Sequence, residues 1–171
     1  MQYTCECCGL QHEGWPALTY NAPNNYSWLS DEEKEKIAVI DEDFCVIKYS
    51  DGEVARFIRC VFIQKVNDNC QDLEYGVWVS LSEKSFEDYL ENYDNENYET
   101  KYFGWLSNYI QGYEFPESIP TNVITQKGND RPLIYPHDDF DHPFVKDFYT
   151  GITKAEAEKR IENMINPTAK K

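Results

Sequence analysis

The sequence predicts a single α+β domain, a largely antiparallel sheet flanked by helices, with a zinc-knuckle-like N-terminal segment. Three observations carry this expectation. Strand-like stretches group in the centre and helix-like stretches lie around them, the order of an α+β chain rather than of alternating α/β units. Two turn signals, Asp51-Gly52 and Lys127–Asp130, separate strand-like runs, and such turns join neighbouring strands antiparallel. Cys5, Cys7 and Cys8 fall within four residues and His12 follows closely, a donor density suited to a metal at a chain end.

The bulk properties agree. A length of 171 residues suits one core. Aromatic residues make up 15% of the chain, enough to build that core without disulfides and the opposite of a disordered composition. The expected domain spans residues 1–166, with 1–28 irregular and cysteine-rich and 167–171 a frayed tail. Asp and Glu number 31 against 16 Lys and Arg, a net charge of −15. That balance disfavours nucleic acid and anionic membranes, which need a basic surface. A basic partner is its natural complement. No apolar run reaches the length of a membrane span, and the start MQYTCECCGL has neither the basic nor the apolar part of a secretory signal. The expected location is the cytoplasm, where clustered cysteines indicate metal or redox chemistry rather than disulfides.

The elements follow in order. In SDEEKEKIAVI, Ser30 and Glu33 have capping-box spacing and acids crowd the first turn, so a short helix opens there. DFCVIKYS and EVARFIRCVFIQKV form a hairpin about Asp51-Gly52. The second strand alternates imperfectly, which suggests a bulge. LEYGVWVSLS is a third strand, rich in β-branched and aromatic residues. SEKSFEDYLENY carries Phe86, Tyr89, Leu90 and Tyr93 at helical spacing, with an acidic outer face. KYFGWLSNYI has strand-like aromatics but turn-like Gly104 and Ser107-Asn108. TNVITQKGNDRPLIYP reads as a second hairpin. In GITKAEAEKRIENMI, Thr153 and Glu156 have capping-box spacing, and Ile161, Met164 and Ile165 form an apolar stripe.

Cys5 and Cys8 form a C-x-x-C, a spacing that lets two thiolates reach one tetrahedral zinc, and Gly9 helps the chain turn. His12 can add a third ligand. Cys45 and His142 are the candidates for the fourth. Cys7 points elsewhere, and Cys60 and Cys70 do not fall at ligand spacing. A redox role lacks its usual βαβ setting; idle or buried thiols are the remaining alternative. A thiolate-rich closed shell makes such a zinc structural rather than catalytic.

The segment YPHDDFDHPF gathers His137, Asp138, Asp139, Asp141 and His142. Imidazoles beside carboxylates can form a metal or acid–base centre. The alternative is a helix entry, with Asp141 as N-cap and Pro143 in the first turn. In FGWLSN, Trp105 lines a pocket or partner surface, or else packs in the core. No HExxH, G-x-S-x-G or phosphate-cradling loop occurs.

CECCGLQHEGWP, DFCVI, FIRC, GVWVSLSEKSF, FGWLSN, RPLI, DHPF and GIT occur in an order and spacing that resemble the bacterial domain of unknown function 2199 family, across about residues 3–166. The resemblance implies a small bacterial protein with a C-x-x-C-G-x-x-H opening and brings no activity with it. Cys7 is an addition to that pattern, and Cys60 stands where the family more often has glycine. Cys45 and His142 fall inside family-like motifs, which favours them as ligands.

The function expected from these features is a non-enzymatic, immunity-like binding protein, stapled by structural zinc, that docks a basic protein. The contact expected is Glu87, Asp88, Glu91 and Asp94 together with Trp105. The alternative is a metal-dependent enzyme using His137, Asp141 and His142, or an open zinc on Cys5 and Cys8. A weaker third reading is a mimic of DNA.

Overall fold

The computed structural model describes residues 2–4 and 11–166. Along them the chain forms β1 (Gln2–Thr4), β2 (Gln11–Glu13), β3 (Leu18–Thr19), α1 (Asn24–Ser27), α2 (Asp31–Ile37), β4 (Ala38–Ile40), β5 (Phe44–Lys48), β6 (Val54–Gln64) and β7 (Leu73–Leu81). There follow α3 (Glu83–Glu91), β8 (Lys101–Leu106), β9 (Pro120–Ile124), β10 (Leu133–Pro136), α4 (Pro143–Thr150) and α5 (Lys154–Ile165). The class is α+β. The expected irregularity of residues 1–28 is corrected: β1 pairs β2 antiparallel, β3 pairs β7 parallel, and α1 follows.

The sheet closes on itself. Its order runs β7–β8–β9–β10–β6, and β6 also pairs β7, making a barrel of five strands. Strands β5 and β4 extend one half of β6, and β3 lies beside β7. Closure is possible because β6 is long and changes neighbours. Residues 54–58 pair with β5, while Val61 meets Leu133 of β10 in parallel. That seam is narrow: one Cα pair, with the Val61 amide donating to the Pro132 carbonyl at 2.8 Å. By contrast β6 and β7 stay in unbroken antiparallel register from Arg56↔Leu81 to Gln64↔Leu73. The expected bulge in β6 is therefore absent. Its alternation is imperfect because the strand is covered on both faces. Ile58, Cys60 and Phe62 point into the barrel core, and Phe57 points into a second cluster outside it.

The barrel core adds Tyr75, Val77, Val79, Val123 and Ile134. Phe86 and Tyr89 of α3 pack into the same core, as do Phe144 and Val145 of α4 and Ala157 of α5. The outer cluster is Cys45, Ile47, Phe57 and Trp78, roofed by Tyr26, Leu29 and Ile37 from the α1–α2 segment. Gly104 lets β8 cross β7 closely. A Cβ there would press on Val79 Cγ1 and lie 2.9 Å from the Ser80 carbonyl oxygen and 3.2 Å from Leu81 Cδ2, spacings that side chains do not tolerate.

Helix entries follow their caps. Ser30 and Glu33 form the reciprocal box that opens α2. Thr153 caps α5 by accepting from the Glu156 amide, but the Glu156 carboxylate turns to Arg160 at 2.9 Å instead of reaching back. The cap of α4 is His142 rather than Asp141. Its Nδ1 accepts from the Phe144 amide at 3.0 Å, with Pro143 in the first turn. Burial decides this exchange: His142 is buried and stacks on Phe115, while Asp141 stays in solvent. Arg160, 7% exposed, ties α4 to α5 through Asp147, Glu156 and the Tyr113 hydroxyl. The Tyr113 hydroxyl in turn donates to Asp147 at 2.6 Å.

Candidate functional site

Cys5 and Cys8 lie outside the described residues. His12 sits in β2 opposite Tyr3, and its side chain also lies outside them. Cys45 is fully buried between β4 and β6, in the cluster with Phe57 and Trp78. Burial, assisted by the negative charge of Asp41, pushes its thiol up to about 12, so the ligating thiolate is disfavoured there. His142 uses both ring nitrogens: Nδ1 caps α4 and Nε2 meets the Glu114 carbonyl oxygen at 2.7 Å. His137 stands apart, its ring edge-on to Phe103 at 5.5 Å. Among the described residues no three His, Cys, Asp or Glu side chains gather in a way that could hold a metal.

Cys60 is wholly inside the barrel, where burial raises its thiol far above the usual range. Cys70 is exposed in the loop between β6 and β7. The next residue, Gln71, accepts from the Trp15 amide at 3.1 Å. That bond lays the loop along the chain just beyond β2.

α3 ends at Glu91, so Glu87, Asp88 and Glu91 share its acidic side while Asp94 lies in the turn that follows. Glu87, Glu91 and Asp94 are exposed. None of the ion pairs among the described residues involves them. Asp88 instead braces the fold. It accepts from the hydroxyls of Tyr98 and Tyr102, each at 2.7 Å, and so holds the following loop and β8 to the helix. Those two bonds lower its carboxyl below the usual value.

Trp105 points outward from β8, where Gly104 and Leu106 point in. It is 43% exposed and lines a cavity of about 690 Å³ together with Trp28, Phe57, Tyr109, Asn24 and Glu117. Trp28 ends α1, is 63% exposed, and approaches Tyr109 at 5.6 Å between ring centres. Among the described residues that line the cavity, Glu117 alone carries a formal charge.

The FGWLSN stretch builds this cavity. The Trp78 amide donates to Asn108 Oδ1 at 2.7 Å, and Asn108 Nδ2 donates to the Ala22 carbonyl at 2.9 Å. The Ser107 carbonyl accepts from the Asn24 amide and its own amide donates to the Trp78 carbonyl, both at 2.8 Å. Trp78 Nε1 closes the set on the Tyr20 carbonyl at 3.0 Å. Residues 20–24 are thereby fixed to the barrel beside the cavity that Trp28 and Trp105 both line.

A family model described as an uncharacterised protein conserved in bacteria, DUF2199, matches residues 4–152. The chain belongs to that DUF2199 family. The match includes Trp28, Trp105, Tyr109, Asn108 and the C-x-x-C opening, and ends as α5 begins. No curated protein matches the chain, and no solved structure does. No helix among the described residues of this DUF2199 chain is long and apolar enough to cross a membrane. Trp105, expected to line a pocket or partner surface or else to pack in the core, lines this cavity, and Trp28 and Tyr109, which line it too, do not stand out in the sequence. The available signal was the tyrosine two residues after Ser107 and the tryptophan closing a proline-led turn of helix.

Proposed function

We propose that the protein is a non-enzymatic, immunity-like binding protein that engages a basic protein partner through the outer face of α3 and the turn after it. The observation that carries this reading is the set of exposed carboxylates Glu87, Glu91 and Asp94, none in an ion pair with the chain's own lysines or arginines among the described residues, on a chain of net charge −15. Such a face speeds association with a positive partner and is screened by salt. Asp88 belongs to the same contact through Oδ1, while its Oδ2 accepts from Tyr98 and Tyr102. The test is affinity capture from native lysate at low and high salt, with the triple variant Glu87→Lys, Glu91→Lys, Asp94→Lys alongside. A specific basic protein held by the native chain at low salt, and lost from the variant, is the expected outcome. Equal recovery by both proteins would count against α3.

Zinc belongs to the same reading, as a structural ion on Cys5, Cys8 and His12 that pins the N-terminal segment. Cys45 and His142 are engaged elsewhere in the fold. What supports Cys70 as the fourth ligand is its exposure and the Trp15–Gln71 bond beside it, and a fourth thiolate or imidazole is what a closed tetrahedral site requires. Elemental analysis of protein purified without added metal tests this. One zinc per chain, lost on Cys8→Ser and on Cys70→Ser but kept on His142→Ala, is expected.

A further inference from the structure

We propose that the cavity between α1 and β8 receives one cationic side chain of the partner, an arginine guanidinium above all, against the rings of Trp28, Trp105 and Tyr109. The proposal deepens the basic-partner reading and rests on it for the source of the cation.

Three large rings, 63%, 43% and 52% exposed, gather around this one cavity. Aromatic faces carry negative potential and attract cations, most strongly when water is excluded. A guanidinium is flat and weakly hydrated, so it loses less on entering such a slot than an ammonium does. The chain satisfies other rings itself: Arg59 lies over Trp78, Lys34 over Tyr26 and Arg160 over Tyr113. None of those contacts involves Trp28, Trp105 or Tyr109. No described lysine or arginine lines the cavity, and its one charged lining residue is the Glu117 carboxylate. The lining thus carries the sign of charge that a cation needs, on a chain of net charge −15. The volume of about 690 Å³ lies in the usual range for ligand pockets and leaves room for backbone beside the side chain. At its wall Asn24 Nδ2 is buried without a hydrogen-bond partner, and a main-chain carbonyl of the entering segment would accept from it.

The competing occupant is a neutral polyhydroxylated ring, which also stacks on tryptophan and bonds to amides. Isosteric probes separate the two. N-acetylarginine amide is titrated by calorimetry against N-acetylcitrulline amide, its uncharged isostere, and against methyl glucoside. Saturable binding of the arginine probe is expected, with citrulline about tenfold weaker or more and glucoside silent. Trp28→Ala and Trp105→Ala should each abolish arginine binding, and Glu117→Gln should weaken it several-fold. Far-UV circular dichroism and an unchanged urea midpoint check that each variant folds. Equal affinity for arginine and citrulline, binding of glucoside instead, or no arginine binding by the folded native chain would each overturn the proposal. The triple lysine variant should bind the arginine probe as the native chain does. Arginine binding without capture of a basic protein sinks the partner reading alone, and capture without arginine binding sinks the cavity assignment alone.

Discussion

Replacing Asn108 with alanine removes one side chain and leaves two main-chain groups without partners. Asn108 is 1% exposed, and its amide bridges the Trp78 N–H at 2.7 Å and the Ala22 carbonyl at 2.9 Å. A buried polar group deprived of its partner costs about 1–3 kcal/mol. Trp78 is fully buried, so its N–H sits toward the upper end; Ala22 is half-buried, so its carbonyl sits toward the lower. Together they give a loss of about 2–4 kcal/mol. With a urea slope of about 2 kcal/mol per molar, mid-range for a small domain, the midpoint should fall by about 1–2 M. Equilibrium urea unfolding followed by far-UV circular dichroism reads that shift. Binding of the arginine probe should weaken as well, because the same amide fixes the segment that carries Trp28. A loss below about 1 kcal/mol would refute the clamp: water or a neighbouring group would then serve both partners as well as Asn108 does.

Four further outcomes follow from the structure. Gly104→Ala should cost about 1–3 kcal/mol by overpacking, because its Cβ meets Val79 and the Ser80 backbone. Gly76→Ala, facing only the movable Thr19 side chain at 3.3 Å, should cost clearly less in the same urea series. Arg160→Met should destabilise by about 2–4 kcal/mol, since the guanidinium is 7% exposed and joins Asp147, Glu156 and Tyr113; a thermal midpoint unchanged from the native chain would contradict its role. Burial raises the Asp43 carboxyl, but hydrogen bonds from Arg131 at 2.8 Å and from Tyr93 at 2.7 Å outweigh it, and the net shift is downward. A lowered native value stabilises the fold above the unfolded pKa of about 3.9 and fades as pH falls through the native one. Asp43→Asn should therefore be less stable than the native chain at neutral pH, with the gap closing in acid; a constant gap across the pH series would contradict this.

Local chemistry was the part of this fold legible in one dimension. Ser30 with Glu33, Asp51-Gly52 and Thr153 each act within a few residues, and the structure has a helix, a hairpin and a helix there. The closure of the barrel was not legible, because it depends on β6 exchanging β5 for β10 part-way along its length. No pattern within a strand records that exchange. The imperfect alternation of β6 was visible, but two covered faces and a bulge leave the same trace. Asp141 and His142 are both able to cap α4, and the choice came from Phe115, far away in sequence. The acidic run on α3 was plain, yet only the tyrosines at 98 and 102 separate Asp88 from its exposed neighbours. The cavity needed Trp28, Trp105 and Tyr109 brought together by Asn108, and a clamp from a side chain to a distant backbone has no sequence spacing to detect.

The narrow seam between β10 and β6 has a kinetic meaning. The β6–β7 and β8–β9 pairs are antiparallel and join strands near in sequence, so their loops close early at small entropic cost. Leu133 and Val61 are far apart and share one bridged pair, so their union gains little until the rest of the barrel stands. The ring should therefore zip from the β6–β7 hairpin round to this junction, and unzip there first. In amide exchange, Val61 should trade its proton through smaller excursions than Val77 or Val79 on the fully paired side. The cylinder is then a hinged band with a latch at Val61.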